Sequence, residues 1–407
     1  MGAASLAGNP SLFKTLFTDE EVLDLTYGDN NVLWALLNKE TNFTADGEKV
    51  PIIIAPPGGR SKTFSTAKTL MGDGGTTKHF MLTRHKDFQL ISMDGESIDA
   101  AGDDDGAFVD LFEHCSTIGI KNLARQMNFD LYRSGSGSRG VISSVSTTRI
   151  TLTDVNDAIF FEVGMTLQAS TTDSSSGLRT GSLAISAVDR ENGYLDAASN
   201  WGGSITSIAA ADYLFASGDA SAGLKGLAAY CPSAAPTGGD SLYSLDRSVD
   251  TDRLAGIRAG DLSGYDLGEA LLTLNYKINT RGNGLTKVNL MHTLKFAELV
   301  KSYASRTIPY VNTKYGNVGF EGISVTHSGG KSVVYGDRDC QSSIMWGLDP
   351  EVLTFRSLKM APRPLDYKET TKNGAHFDPD ADGLVLRLGY RGALRNRAPG
   401  FMGRATI

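Results

Sequence analysis

Few stretches of this sequence resemble known catalytic or ligand-binding motifs. Residues 329–332 (Gly-Gly-Lys-Ser) resemble the end of a phosphate-binding loop, but Val325 stands where that loop needs its earlier glycine. Residues 378–383 match the first half of a calcium loop, yet Gly389 stands where a bidentate glutamate is required. Both stretches therefore predict ordinary turns.

The histidines and cysteines show no spacing that is typical of metal sites, and no nucleophile stands in a recognisable local signature. We therefore predict no enzymatic activity, no cofactor and no metal. The three cysteines, which are far apart, are expected to be reduced thiols. The histidines are His79, His85, His114, His292, His327 and His376, and the cysteines are Cys115, Cys231 and Cys340.

Charge is segregated sharply between residues 49 and 105. Residues 49–86 hold seven Lys/Arg and one acid, whereas residues 87–105 hold seven acids and no base. Because a basic segment beside an acidic one is complementary between copies, these residues predict contacts between subunits. A surface hairpin with solvated charges is the alternative. The predicted contact residues are Arg60, Lys62, Lys68, Lys78, Arg84, Lys86, Asp99, Asp103, Asp104 and Asp105.

The basic segment predicts a long β-hairpin. Residues 60–70 alternate as a strand, residues 71–75 form a glycine-rich turn, and the return arm runs from residue 76 to about residue 86. Neither face of the strand over 60–70 is apolar enough to form the wall of a core. Since an isolated two-stranded ribbon is marginally stable in water, we expect this hairpin to dock on another surface.

The elements that follow the hairpin change character twice. Apolar residues at three- and four-residue steps predict a long helix over 106–133, whose N-terminus the Asp103–105 triplet complements. A Ser/Gly linker at 134–138 then leads to short β-rich runs over 139–223, which predict an inserted barrel or sandwich.

The remainder of the chain predicts an α+β lobe. Ser263 and Asp266 are suited to cap a helix, and a strand at 287–290 precedes a second helix at about 293–303. Strand-like runs follow, and the stretch 384–404 carries five arginines and no acid. These arginines (Arg387, Arg391, Arg395, Arg397 and Arg404) are the best candidates for weak contact with a polyanion.

Composition limits the remaining possibilities. A chain of 407 residues is expected to form roughly two to four lobes. It has no apolar run of the roughly 20 residues that a membrane span needs and no signal-peptide pattern. A net charge of −7 argues against a dedicated nucleic-acid-binding protein.

The order of these parts is similar to that of the major capsid proteins of tailed bacteriophages, the Hong Kong 97-type fold. Two short segments, residues 162–167 (Glu-Val-Gly-Met-Thr-Leu) and 223–227 (Gly-Leu-Lys-Gly-Leu), also resemble phage capsid sequences. The resemblance implies an α+β fold with an inserted small β-barrel or sandwich. Its parts would be an N-terminal arm (1–48), an E-loop hairpin (49–90), a P-domain with its spine helix (91–138), the insertion (139–223), an A-domain (224–310), and returning strands to the C-terminus (311–407).

The resemblance implies self-assembly through hexamers and pentamers into an icosahedral shell around a double-stranded DNA genome. The expected partners are other copies of the chain, a portal protein, a scaffolding or decoration protein, and DNA bound weakly and without sequence preference. The protein would reside in the virion capsid after assembly in the host bacterial cytoplasm. The alternatives are an encapsulin-like nanocompartment shell, and a multidomain enzyme or carbohydrate-binding protein with a β-sandwich module.

Overall fold

The described chain contains both α-helices and β-strands. A computed structural model describes residues 31–43, 46–55, 58–72, 75–96, 111–303, 322–327, 329–365, 375–377 and 382–407. Within them the helices are α1 (Val32–Leu36), α2 (Phe64–Thr69), α3 (Leu111–Tyr132), α4 (Trp201–Ser204), α5 (Leu227–Tyr230), α6 (Leu267–Lys277) and α7 (Thr293–Tyr303).

The strands form open sheets, two-stranded ribbons and one closed barrel. In chain order they are β1 (Asn38–Glu40), β2 (Gly47–Ala55), β3 (Thr76–Thr83), β4 (His85–Asp94), β5 (Ser138–Val145), β6 (Arg149–Leu152), β7 (Thr166–Ser170), β8 (Leu183–Asp189), β9 (Tyr194–Ala197), β10 (Tyr213–Ala216), β11 (Ser241–Leu242), β12 (Leu245–Asp246), β13 (Ile257–Asp261), β14 (Val288–Met291), β15 (Ile323–His327), β16 (Gly330–Gly336), β17 (Ile344–Leu348), β18 (Leu353–Ser357), β19 (Arg363–Pro364), β20 (Ala375–Phe377), β21 (Gly383–Asn396) and β22 (Gly403–Thr406).

The chain divides into two compact units, each built from several stretches. The first unit comprises Met1–Glu48, Thr83–Asn128 and Phe355–Ala393, and the second comprises Lys49–Leu82, Phe129–Thr354 and Leu394–Ile407.

The first unit is a sheet packed against the long helix α3. Strand β21 pairs with β18, β19, β20 and β4, and β1 extends the sheet beside β18. Leu123 of α3 packs against Met93, Leu386 and Leu388 of the sheet. The approach is so close at Gly119 that an added Cβ would lie 2.2 Å from a Leu388 methyl group. The helix predicted over residues 106–133 is therefore confirmed over its described part, while residues 106–110 lie outside the described residues.

A closed six-stranded barrel in the second unit occupies most of the predicted insertion. Its strand order is β10-β5-β6-β9-β8-β7. Because side chains alternate along a strand, each strand sends every second residue inward, among them Ile150, Leu195 and Leu214, all of which are fully buried. Full closure removes free sheet edges, so the barrel needs no neighbour to cover its strands.

The second unit also contains a six-stranded sheet in the order β13-β22-β17-β14-β16-β15. Helices α6 and α7 bury Leu271, Leu274 and Leu299 in one core with this sheet. Asp266 caps α6 by accepting from the Gly268 amide at 3.2 Å, as the sequence predicts. Strands β13, β17 and β22 were not predicted from the sequence, whereas the bounds predicted for α7 agree with the structure.

The predicted strand over residues 60–70 is wrong. The outgoing strand of the hairpin is β2, which pairs with β3, and residues 64–69 form helix α2. Alternation alone cannot hold a strand that has no partner, whereas a helical turn satisfies its backbone groups locally. The return arm ends at Thr83, so Lys86 lies in β4, a strand of the other unit.

A partly buried ion pair in the second unit has an unusual protonation equilibrium. Asp157, beside the barrel strands, lies 3.5 Å from the guanidinium of Arg133, and their side chains are 18% and 10% exposed. Burial raises the pKa of the Asp157 carboxyl from 3.8 to about 6, even though the charge of Arg133 acts to lower it. Burial therefore outweighs the ion pair at this site.

We predict that Asp157→Asn stabilises the protein at neutral pH. Between the unfolded pKa of 3.8 and the folded pKa of about 6, the folded state binds more protons, so stability contributed by this group is lost as pH rises through 6. In denaturant unfolding near pH 7.5, the free energy of unfolding of the variant should exceed that of the parent by about 1–3 kcal/mol. This difference should vanish below about pH 4. Asp173→Asn, at an exposed loop position, is the control. An Asp157→Asn variant that is less stable at every pH would show that the ion pair dominates.

Candidate assembly interface

The basic hairpin is an arm that is buried only at its base. Strands β2 and β3 pair only with each other among the described strands, and α2 lies in the connection between them. Val50, Phe80 and Leu82 are buried near the base, whereas most described side chains from residue 58 to residue 79 are exposed. The rest of the arm therefore has few apolar partners among the described residues of its own subunit.

Helix α2 is held by local hydroxyl contacts. The Thr63 hydroxyl donates to that of Thr66 at 2.7 Å, and the Thr69 hydroxyl donates to the Ser65 carbonyl at 3.0 Å. Ser and Thr side chains compete for backbone groups in this way, which lets a short helix form without a buried face.

An aromatic cluster clamps the base of the arm. The Met81 amide donates to the Tyr243 carbonyl at 2.9 Å. The Phe80 ring meets Tyr230 edge-on at 6.2 Å between centroids, and the Lys225 ammonium lies 4.7 Å from the Tyr243 ring centroid. Burial lowers the pKa of Lys225. The clamp therefore combines apolar burial, one backbone hydrogen bond and a cation–π contact.

The clamp is built on a turn in an unfavourable backbone conformation. Tyr243 and Ser244, which join β11 to β12, have φ values of 48° and 64°. A left-handed conformation costs a residue with a Cβ roughly 1–2 kcal/mol, so tertiary contacts must hold this turn in place. The buried Tyr243 side chain and its hydrogen bond to the arm supply such contacts.

The predicted contact residues divide into three groups in the structure. Arg60, Lys62, Lys68 and Lys78 are exposed along the arm, and Lys86 is exposed on β4. Arg84 instead serves its own subunit: it donates to the Phe43 carbonyl at 2.9 Å and lies 3.4 Å from Asp46. Asp99, Asp103, Asp104 and Asp105 lie outside the described residues.

Sequence reasoning missed the apolar side chains near the tip of the arm. Phe64 is 85% exposed, Met71 is 75% exposed and Leu70 is 55% exposed. Phe64 and Leu70 share one face of the predicted strand with Lys62 and Lys68, and such a mixed face does not indicate an apolar contact. The signal available in the sequence was a large aromatic residue, Phe64, between basic residues in a segment with no apolar face of its own.

The five C-terminal arginines do not form one surface patch. Arg395 is buried, and Arg404 lies with its guanidinium 5.6 Å from the Trp346 ring centroid. Burial lowers the pKa of Arg404. Of the five, Arg387 and Arg397 are exposed. The exposed candidates for polyanion contact are therefore Arg387 in the first unit and Arg397 in the second.

The described residues contain neither a candidate metal site nor a candidate membrane-spanning helix. No group of three or more His, Cys, Asp or Glu residues in that part of the chain could hold a metal ion. None of its helices is both long and apolar enough to cross a bilayer. Cys115, Cys231 and Cys340 are free thiols, as expected from their spacing.

Comparison with known proteins identifies the fold. No protein-family model and no curated protein sequence matches the chain. Its structure is similar to a chain of the cyanophage A-1(L) capsid asymmetric unit, with a TM-score of 0.53, 14% identity and 96% of each chain covered. Less similar are a capsid chain of a native GTA particle, with a TM-score of 0.48, 12% identity and 100% of this chain and 99% of that chain covered, and the SrpI encapsulin of Synechococcus elongatus PCC 7942, with a TM-score of 0.46, 7% identity and 100% and 96% covered. The chain has the fold of a phage capsid protein.

We predict that Ser244→Gly strengthens the clamp. Glycine adopts positive φ without a Cβ clash, so replacing the exposed Ser244 should raise the free energy of unfolding by about 0.5–1 kcal/mol. Ser241→Gly, in the adjoining strand β11, should instead lose about 0.5–1 kcal/mol. Thermal unfolding should show a higher melting temperature than the parent for Ser244→Gly and a lower one for Ser241→Gly. Equal destabilisation by the two glycines would mean that the turn stores no strain.

Proposed function

We propose that the protein is the major capsid protein of a tailed bacteriophage, which assembles into the icosahedral shell around its double-stranded DNA. The observation that carries the proposal is an arm with buried side chains only at its base, on a chain whose fold is that of a phage capsid protein. Such an arm gains stability when a neighbouring subunit covers it.

The parts of the Hong Kong 97-type fold can be assigned to this chain on the same proposal. Residues 49–90 correspond to the E-loop, with β2, α2 and β3 as its described part. Residues 91–138 correspond to the P-domain with α3 as its spine helix. The barrel of residues 139–223 is an insertion, residues 224–310 form the A-domain, and residues 311–407 return through both domains. Residues 1–48 are the N-terminal arm.

Charge and apolar burial contribute unequally to the proposed contact. Each exposed ion pair made by Arg60, Lys62, Lys68 or Lys78 is worth about 0–1 kcal/mol. Complete burial of a side chain such as Phe64 or Met71 is worth about 1.5–3 kcal/mol. The apolar tip therefore supplies most of the affinity, while the cations select an acidic partner and guide its approach. Repetition around a closed shell multiplies both contributions.

The acidic partner that we propose for these cations is the run containing Asp99, Asp103, Asp104 and Asp105 on a neighbouring subunit. Lys86 belongs to the proposed interface through β4, while Arg84 is assigned to its own fold by its contacts with Phe43 and Asp46. In a hexamer or pentamer, the arm of each subunit would contact the acidic run of the next subunit around the ring.

Contact with the genome is proposed to be sparse and independent of sequence. The net charge is −7, and only Arg387 and Arg397 of the C-terminal arginines are exposed. Any binding by dissociated subunits should fall steeply with salt because it depends on counterion release. A portal protein and a scaffolding or decoration protein complete the proposed set of partners. The proposed location is the virion, after assembly in the host cytoplasm.

We predict that reversing Arg60, Lys62 and Lys68 to Glu blocks assembly and leaves the fold intact, because these side chains are exposed and their proposed partners lie on another subunit. The variant should sediment as small species with an unchanged circular dichroism spectrum, whereas the parent sediments as shells.

The matched control reverses Lys301, Lys331 and Lys359, which are exposed and lie outside the arm. It changes net charge by the same amount and should still assemble. Assembly of the arm variant, or equal failure of the control, would contradict a specific role for the arm.

A further inference from the structure

The last turn of α3 and the residue that follows it belong to the core of the barrel. The boundary between the two compact units falls inside α3, between Asn128 and Phe129. Phe129 is buried in the same apolar core as the barrel residues Ile150 and Leu195. The core of the barrel is therefore completed by a side chain of the helix that precedes it. Residues 129–133 are called here the α3 end.

Aromatic and charged contacts join the α3 end to the base of the barrel. Phe160 is the last residue of a short 3-10 helix (Val155–Phe160) between β6 and β7, and its ring centroid lies 4.6 Å from that of Phe129. The Arg133 guanidinium lies 4.7 Å from the Phe129 centroid and 5.3 Å from the Phe160 centroid, and 3.5 Å from Asp157. Cation–π contacts are stronger when they are desolvated, as they are around this buried arginine.

The chain enters and leaves the barrel through close backbone contacts. Gly137 has a φ of 84°, and a Cβ added to it would lie 2.2 Å from the Asp219 carbonyl oxygen. On the way out, the Gly226 amide donates to the Arg133 carbonyl at 3.1 Å, and a Cβ at Gly226 would lie 2.2 Å from the Leu131 carbonyl oxygen. Glycine permits such approaches, so the chain on both sides of the barrel is fixed at or near the α3 end.

The turn between β16 and β17 contacts both the α3 end and the barrel. The Tyr132 hydroxyl donates to the Asp337 carboxylate at 2.7 Å, and both residues are fully buried. The Ser342 hydroxyl donates to the carboxylate of Asp154, at the start of the 3-10 helix of the barrel. Release of the α3 end would remove the Tyr132 hydroxyl from a buried carboxylate, which is unfavourable.

An autonomous barrel on a flexible linker would need none of these contacts. The linker predicted from the sequence over residues 134–138 contains Ser136, which is buried, and the next residue, Arg139, is buried as well. The Arg139 guanidinium donates to the Phe160 carbonyl at 3.1 Å and lies 5.6 Å from the Phe129 ring centroid. The barrel and the α3 end are therefore built as one structure.

We propose that the barrel locks the α3 end in place, so that residues 129–133 are held only while the barrel is folded, and that a subunit enters a shell only in this locked state. Helix ends fray unless tertiary contacts hold them, and the barrel supplies the ring, stacking and ion-pair contacts described above. The requirement for assembly rests on the proposed shell function; the coupling between the barrel and the α3 end does not.

Native-state hydrogen exchange on the full chain tests the coupling. Ile185→Ala removes a buried side chain from β8, which lies opposite β5 in the closed strand order, so it weakens the barrel far from α3. Exchange of amides 129–133 should rise about tenfold, together with that of the barrel strands. The matched control is Leu274→Ala, which removes a similarly buried side chain from the core under α6 and should change exchange at 129–133 by less than about twofold.

A second variant tests the contact that carries the coupling. Arg133→Leu removes the stacked guanidinium from the base of the barrel and should by itself raise exchange at residues 129–133 about tenfold. Because the link is then already broken, adding Ile185→Ala should raise exchange there by less than about twofold more. Additive effects of the two substitutions would show that the barrel does not act through this contact.

Shell assembly is followed by sedimentation at two temperatures, one at which the barrel of Ile185→Ala is folded and one at which it is open. The shell yield should equal that of the parent in the first case and fall about tenfold in the second. Unchanged exchange at residues 129–133 in Ile185→Ala, or an equal rise in Leu274→Ala, would overturn the lock. Full yield with an open barrel would overturn the assembly requirement alone. A parent that forms no shells would refute the shell function, while hydrogen exchange would still decide the lock.

Discussion

The structure depends on one constraint: within the described part of the chain, the arm of residues 49–82 has an apolar anchor only at its base. Phe80 and Leu82 are buried there, whereas Phe64, Leu70 and Met71 near the tip face solvent. Exposed apolar area of this kind is unfavourable in water, and a two-stranded ribbon cannot bury it alone. The tip is therefore suited to contact another surface, and under the proposed function that surface belongs to a neighbouring subunit.

The clamp at the base gives this arm a defined direction. Tyr243 holds Met81 through its carbonyl and packs near Tyr230 and Lys225, although its own backbone lies at positive φ. An arm fixed at its base loses less conformational entropy when its tip binds, because much of its ordering has already occurred within the subunit. Local strain at the turn is thus compatible with stronger assembly.

The sequence predicted long, periodic elements well and misjudged segments that depend on pairing. Helix α3 and helix α7 follow from apolar spacing, and the barrel follows from short β-rich runs between turns. Residues 60–70 were misassigned because alternation of small and charged residues satisfies a strand pattern without supplying a partner strand. Strand β17 was not predicted because all of Ile344–Leu348 is buried and the strand shows no alternation. Strand β22 was not predicted because Gly403–Thr406 is short. Charge segregation revealed the candidate interface, but side-chain exposure was needed to show that its tip is apolar and that Arg84 belongs to its own subunit.

Electron microscopy of the purified chain, in negative stain and without any other component, tests the central claim most directly. If exposed arms are covered by neighbouring subunits, the images should show closed shells of uniform diameter, and raising the salt should weaken the charged contacts while leaving the apolar ones. Images of single subunits at every protein and salt concentration tried would contradict the account.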